Sequence, residues 1–83
     1  MNVVVNDMNI KKLKNILDEK GIVKFKIYSL HYVIKNENDT IVIYPLNNEN
    51  RKSNYKNIDL LLKKYMIFDE NLKDNDKEII IID

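Results

Sequence analysis

Residues 22–45 read "IVKFKIYSLHYVIKNENDTIVIYP", and their alternation decides the fold. In "IVKFKIY", Val23, Phe25 and Ile27 fall on one side of an extended chain and Lys24, Lys26 and Tyr28 on the other. "HYVIK" alternates in the same way, and so does "TIVIY" before Pro45 ends it. If Ser29 and Leu30 form the first loop, Tyr28 opposes His31, Ile27 opposes Tyr32 and Phe25 opposes Ile34. If residues 36–39 form the second, Ile34 opposes Ile41, Tyr32 opposes Ile43 and His31 opposes Tyr44. The faces then agree across three strands, as an antiparallel meander requires. One face carries Val23, Phe25, Ile27, Tyr32, Ile34, Ile41 and Ile43. The other carries Lys24, Lys26, Tyr28, His31, Val33, Lys35, Thr40, Val42 and Tyr44.

The flanking segments have a different period. In "NIKKLKNILDEKG", Ile10, Leu13, Ile16 and Leu17 recur at helical spacing, with Lys11, Lys12, Lys14 and Asp18 facing away. The spacing predicts a helix over residues 9–20, with Asp7 or Asn9 as its cap. Gly21, the only glycine, stands where a left-handed stop is wanted. In "NIDLLLKKY", Ile58, Leu61, Leu62 and Tyr65 form a second stripe. Asn57 can cap it and Asp59 suits its positive start, so a helix is expected over residues 58–65. Residues 46–57 read as a loop and "DENLKDNDK" as a polar connection.

Both ends of the chain are apolar. The run Ile79, Ile80, Ile81 and Ile82 does not alternate, so both of its faces need cover. "VVV" at residues 3–5 poses the same problem. The expectation is one α+β domain over residues 1–83. Its sheet is antiparallel or mixed, of four to five strands, with two helices on one face in the order β-α-β-β-β-α-β. The helices cover the inner face. The outer face is then open to a partner or a second copy, unless residues 46–56 fold over it.

Composition narrows the function classes. The chain has no cysteine, so neither disulfides nor thiolate chemistry is available. One glycine, placed to end a helix, leaves no Gly-rich phosphate loop. No apolar run approaches the ~20 residues of a membrane span, and "MNVVVNDMN" does not read as a signal peptide. A cytoplasmic setting without membrane or cofactor is expected. Asn, Ile and Lys occur thirteen times each while Ala and Gln are absent, which points to AT-rich coding. Net charge is only +1 but uneven: residues 65–83 carry six acids against Lys73 and Lys77, and residues 51–64 carry five bases against Asp59.

"VKFKIYSLHYVI", "IVIYP" and "YKNIDLLLKKY", with the "ID-x-LL"-like start of the second helix, resemble small uncharacterised α+β proteins of low-GC bacteria and their phages. The resemblance implies a helix, a three-stranded meander and a helix. It implies no shared activity and carries over no functional residue.

Candidate catalytic and metal residues have ordinary packing or turn roles as their simpler explanation. His31 is the only histidine, and Ser29, Thr40 and Ser53 belong to no nucleophile motif, so no enzyme is expected. Asp74, Asp76 and Glu78 offer oxygen ligands, but the glycine and distant glutamate of an EF-hand loop are missing. The candidate interaction surface is the outer face, Lys24, Lys26, Tyr28, His31, Val33, Lys35, Val42 and Tyr44, together with Ile79, Ile80, Ile81 and Ile82. Arg51, Lys52 and Lys56 form a candidate basic rim. The expected function is non-catalytic binding through protein contact, as in a phage or mobile-element modulator of a host system, with self-association included. Single-stranded nucleic acid is the alternative partner, with lysines for phosphates and outer-face aromatics for bases.

Overall fold

Two helices and a five-stranded antiparallel sheet form the body of the computed structural model, which describes residues 8–82. The strand expected around residues 3–5 and the possible cap Asp7 lie outside the described residues. Helix α1 (Met8–Lys20) leads into β1 (Ile22–Ile27), β2 (Leu30–Glu37) and β3 (Thr40–Pro45). After a short 3-10 turn comes β4 (Ser53–Tyr55), then α2 (Ile58–Lys64). A small hairpin, β5 (Met66–Ile67) and β6 (Glu70–Asn71), precedes a 3-10 segment, Lys73–Glu78, and β7 (Ile79–Ile81) closes the chain. The main sheet runs β4-β3-β2-β1-β7.

Alternation places the core where the sequence puts it. Val23, Phe25, Ile27, Tyr32, Ile34, Ile41 and Ile43 are all buried, in one cluster with Ile10, Leu13 and Leu17 of α1 and Leu61 and Leu62 of α2. Both helices therefore cover the same face. Phe25 stacks on Tyr32 across the strands at 5.7 Å, and Tyr65 meets Tyr32 edge-on at 6.0 Å. Such ring pairs stabilise beyond their buried area.

The stop of α1 and the start of α2 follow from local chemistry. Gly21 has φ +76°, and its N–H donates to the Leu17 carbonyl at 2.7 Å, closing α1 with a left-handed residue. Asn57 caps α2, its side-chain oxygen accepting from the Leu60 N–H at 2.9 Å.

Both hairpin registers differ from the expectation by two residues. Ile27 pairs with Leu30 and Phe25 with Tyr32; Ile34 pairs with Ile43 and Val33 with Tyr44. The second loop is only Asn38-Asp39, both at positive φ, the backbone of a type I′ turn whose twist matches its strands. The first turns around Tyr28, at φ 58°, where the Ser29 N–H donates to the Ile27 carbonyl at 2.9 Å. The second turn is tighter than expected and adds ladder pairs, while the first keeps two residues and moves one position back along the chain. A shift of two leaves every side chain on its original face, so the core assignment survives the error.

Two further expectations are corrected. The loop over residues 46–57 contains β4, an edge strand paired with β3. The polar connection "DENLKDNDK" carries half a hairpin and a 3-10 segment. Of the isoleucine run, Ile79 to Ile81 pair with β1, Ile79 opposite Ile27. That pairing within the sheet is as expected; among the described residues β7 lies at the edge, with Ile79 in the core and Ile80 and Ile82 exposed.

Phe25→Ala and Leu61→Ala, both fully buried, are each expected to cost ~2–5 kcal/mol. Chemical denaturation measures this; a loss under about 1 kcal/mol at both sites would contradict the packing. At Gly21 an added Cβ meets nothing within 4 Å. Gly21→Ala should therefore lose about 1 kcal/mol through backbone strain alone, and unchanged thermal stability would contradict the left-handed stop.

Candidate interaction surface

The outer sheet face divides into a covered half and an open half. Val33, Val42 and Tyr44 are buried there, apart from the main core cluster. The Lys52 ammonium sits 5.9 Å above the Tyr44 ring. Lys35 and Lys52 both reach the Glu37 carboxylate, at 3.5 and 3.6 Å. Glu37 was not a sequence candidate, yet it offsets charge from both the outer face and the basic rim. Arg51 and Lys56 are exposed, on either side of β4.

The open half lies over β1 and β7. Lys24 and His31 are exposed and Lys26 is half-buried, paired across the strands with His31 on one side and Ile80 on the other. Of the four isoleucines, Ile79 is 1% exposed and belongs to the core, and Ile81 packs partly against it. Ile80 is 58% exposed and Ile82 49%. The Ile82 N–H donates to the Lys24 carbonyl at 2.9 Å, which holds the strand end against β1. An exposed apolar edge next to lysines is thus what this half presents.

Tyr28 was placed among the outer-face residues, but its turn aims it at the chain's C-terminal quarter. Its hydroxyl donates to Asn75 Oδ1 at 2.9 Å, and Asn75 Nδ2 donates to the Asn71 carbonyl at 3.0 Å. The Phe68 ring meets Tyr28 edge-on at 5.5 Å. Desolvation raises the Tyr28 pKa above its ordinary value, and the nearby carboxylates of Glu70 and Glu78 raise it further. Tyr65 is raised chiefly by burial too, with Tyr32 adding to the effect. Tyr28 and Phe68 both hold positive φ, 58° and 53°. For bulky residues that conformation costs roughly 1–3 kcal/mol each.

Asp76, in the charged segment before β7, has a contact that its own segment does not show. It is buried, and its Oδ1 accepts the Ile10 N–H at 2.7 Å, while its carbonyl accepts from Asn9 Nδ2 at 2.9 Å. A carboxylate from the far end of the chain thus meets the positive start of α1. Asn71 Oδ1 accepts the Asp74 N–H at 2.8 Å and opens the 3-10 segment that carries both Asn75 and Asp76. Only the "DND" composition hinted at capping.

Two hollows adjoin these features. One, about 190 Å³, is lined by Ser29, Leu30, His31, Tyr32, Pro45, Leu46 and Asn47, none of them acidic, so no carboxylate there orients His31 toward Ser29. The other, about 350 Å³, lies between the helices at Ile10, Leu62, Lys63 and Lys73, with Lys14 and Asp59 ion-paired at 2.6 Å. Among the described residues no helix is long and apolar enough to cross a membrane.

No protein-family model matches the chain, and no curated protein or solved structure gives a significant match.

Asp76→Ala leaves the buried Ile10 N–H without its acceptor and is expected to destabilise by ~1–3 kcal/mol. Asp76→Asn keeps an acceptor oxygen and should lose less. Equal losses in urea denaturation would show that charge rather than hydrogen bonding carries the contact.

Proposed function

We propose that this chain is a non-catalytic binding protein that acts through protein contact along the open edge of its sheet. The carrying observation is β7, a short edge strand among the described residues, with Ile80 and Ile82 exposed while Ile79 anchors it in the core. An incoming extended segment adds main-chain hydrogen bonds at such an edge, and alternate apolar side chains select it. Strands at sheet edges are usually blunted by charge or cover, and isoleucine supplies neither. Small size and AT-rich coding support a setting in a phage or mobile element that modulates a host system.

A second reading, binding of single-stranded nucleic acid, draws on Lys24, Lys26 and the exposed His31. It is the weaker one because two of its aromatics are engaged elsewhere. Tyr44 is buried under Lys52, and Tyr28 turns toward Asn75 with the carboxylates of Glu70 and Glu78 nearby, which repel phosphate. Stacking on bases needs an open ring face.

Affinity capture from a host lysate, with and without nuclease, separates the readings. The expected result is a protein partner that resists nuclease and is lost when Ile80 and Ile82 are both changed to threonine, with the variant still folded by circular dichroism. Light scattering of the protein alone tests a second copy as that partner. Capture that disappears with nuclease, falls steeply with salt and is abolished by Lys24→Glu with Lys26→Glu would establish the nucleic-acid reading instead.

A further inference from the structure

At the end of the sheet where β7 begins, two turns bring an exposed aromatic pair together. Tyr28 directly follows Ile27, the residue paired with Ile79. Phe68 sits at the tip of the β5–β6 hairpin and is 68% exposed; Tyr28 is 40% exposed. Glu70 follows Phe68 by two residues and Glu78 immediately precedes β7; both are exposed. We propose that Tyr28 and Phe68, flanked by Glu70 and Glu78, form a docking site for a cationic peptide segment, whose arginine or lysine side chain lies against the rings while its charge faces the carboxylates. The proposal rests on the reading of the chain as a protein-contact module and names the chemistry of the partner.

Three observations carry it. The first is conformational. Type I′ turn positions favour Asn, Asp or Gly, and the Asn38-Asp39 turn of this same chain follows that rule. The Phe68-Asp69 turn puts a phenylalanine at the first of the two positions, at φ 53°. Turn formation does not explain that choice, and a large ring held out into solvent at a strained position is a functional signal. The second is preorganisation. The Tyr28 hydroxyl is held by Asn75, itself buried and bonded to the Asn71 carbonyl, so the ring that Phe68 abuts has a set orientation before any partner arrives. The third is charge. The acids of residues 65–83 outnumber their lysines six to two, and two of them, Glu70 and Glu78, are close enough to the Tyr28 hydroxyl to raise its pKa. Aromatic faces with carboxylates beside them attract arginine and lysine by the ring quadrupole and by direct charge.

The test uses the intact chain and a capped peptide of alternating arginine and serine, with a glutamate–serine peptide as control. Amide chemical shifts followed by NMR are expected to move at Tyr28, Phe68, Glu70 and Glu78 with the arginine peptide and to stay unchanged with the control. Phe68→Asn suits the turn better, so it should keep or raise thermal stability while weakening the peptide at least tenfold. Glu70→Gln with Glu78→Gln should weaken it by a similar factor and flatten its salt dependence. Unchanged affinity in Phe68→Asn, or shifts confined to other acidic residues, would overturn the site. Because the peptide is read on the protein alone, this outcome is distinct from failure of the capture experiment. A captured partner that is lost with the Ile80 and Ile82 variants yet retained in full by Phe68→Asn would support the edge strand and overturn the aromatic site.

Discussion

Phe25 lies at the centre of β1, fully buried, with Tyr32 stacked on it from β2 and Ile81 opposite it on β7. The constraint that organises the molecule is the need to cover that row on one side of the sheet. An 83-residue chain has few layers to spend on this. Both helices are committed to the inner face: α1 supplies Ile10, Leu13 and Leu17, and α2 supplies Leu61 and Leu62. Leu72 and Ile67, from the hairpin region, close the remaining gap. The open strip over β1 and β7 is the consequence of that allocation.

The chain's last quarter contributes more than a final strand. Its 3-10 segment carries two buried polar residues with separate tasks. Asp76 accepts from the first turn of α1, and Asn75 receives the Tyr28 hydroxyl. Burying polar groups is costly unless they are bonded, and these two are bonded to different elements, the start of α1 and the β1–β2 turn. They fix where β7 starts, since Ile79 follows three residues after Asp76. The exposed edge and the aromatic pair therefore share one support. This is the physical link between the C-terminal segment's polarity and the surface proposed for binding.

Edge exposure and charge act together on the proposed surface. Ile80 and Ile82 give apolar area, Lys24 and Lys26 lie beside them, and Glu70 and Glu78 stand at the start of the same strand. On the proposed reading, a peptide laid along β7 would pass from a basic stretch to an acidic, aromatic end, and a cationic segment would be directed by repulsion at one end and attraction at the other.

Local periodicity determined much of this protein from sequence alone. The two helices, the stop of α1 at Gly21 and the start of α2 at Asn57, and the inner and outer faces of three strands were legible because each depends on residues a few positions apart. The faces held even though both hairpins shifted by two, since side chains alternate with a period of two. The β5–β6 hairpin was not legible, because two-residue strands are too short to alternate. Nor could spacing show that Val33, Val42 and Tyr44 are buried on the outer face, or that the isoleucine run lies at an edge. Asp76 accepting the N–H of Ile10, 66 residues earlier in the first turn of α1, Glu37 meeting Lys52, and Phe68 meeting Tyr28 are contacts between distant segments. Only the tertiary structure decided them, because which distant residues meet is set by how the whole chain covers its core and not by the pattern within any one segment.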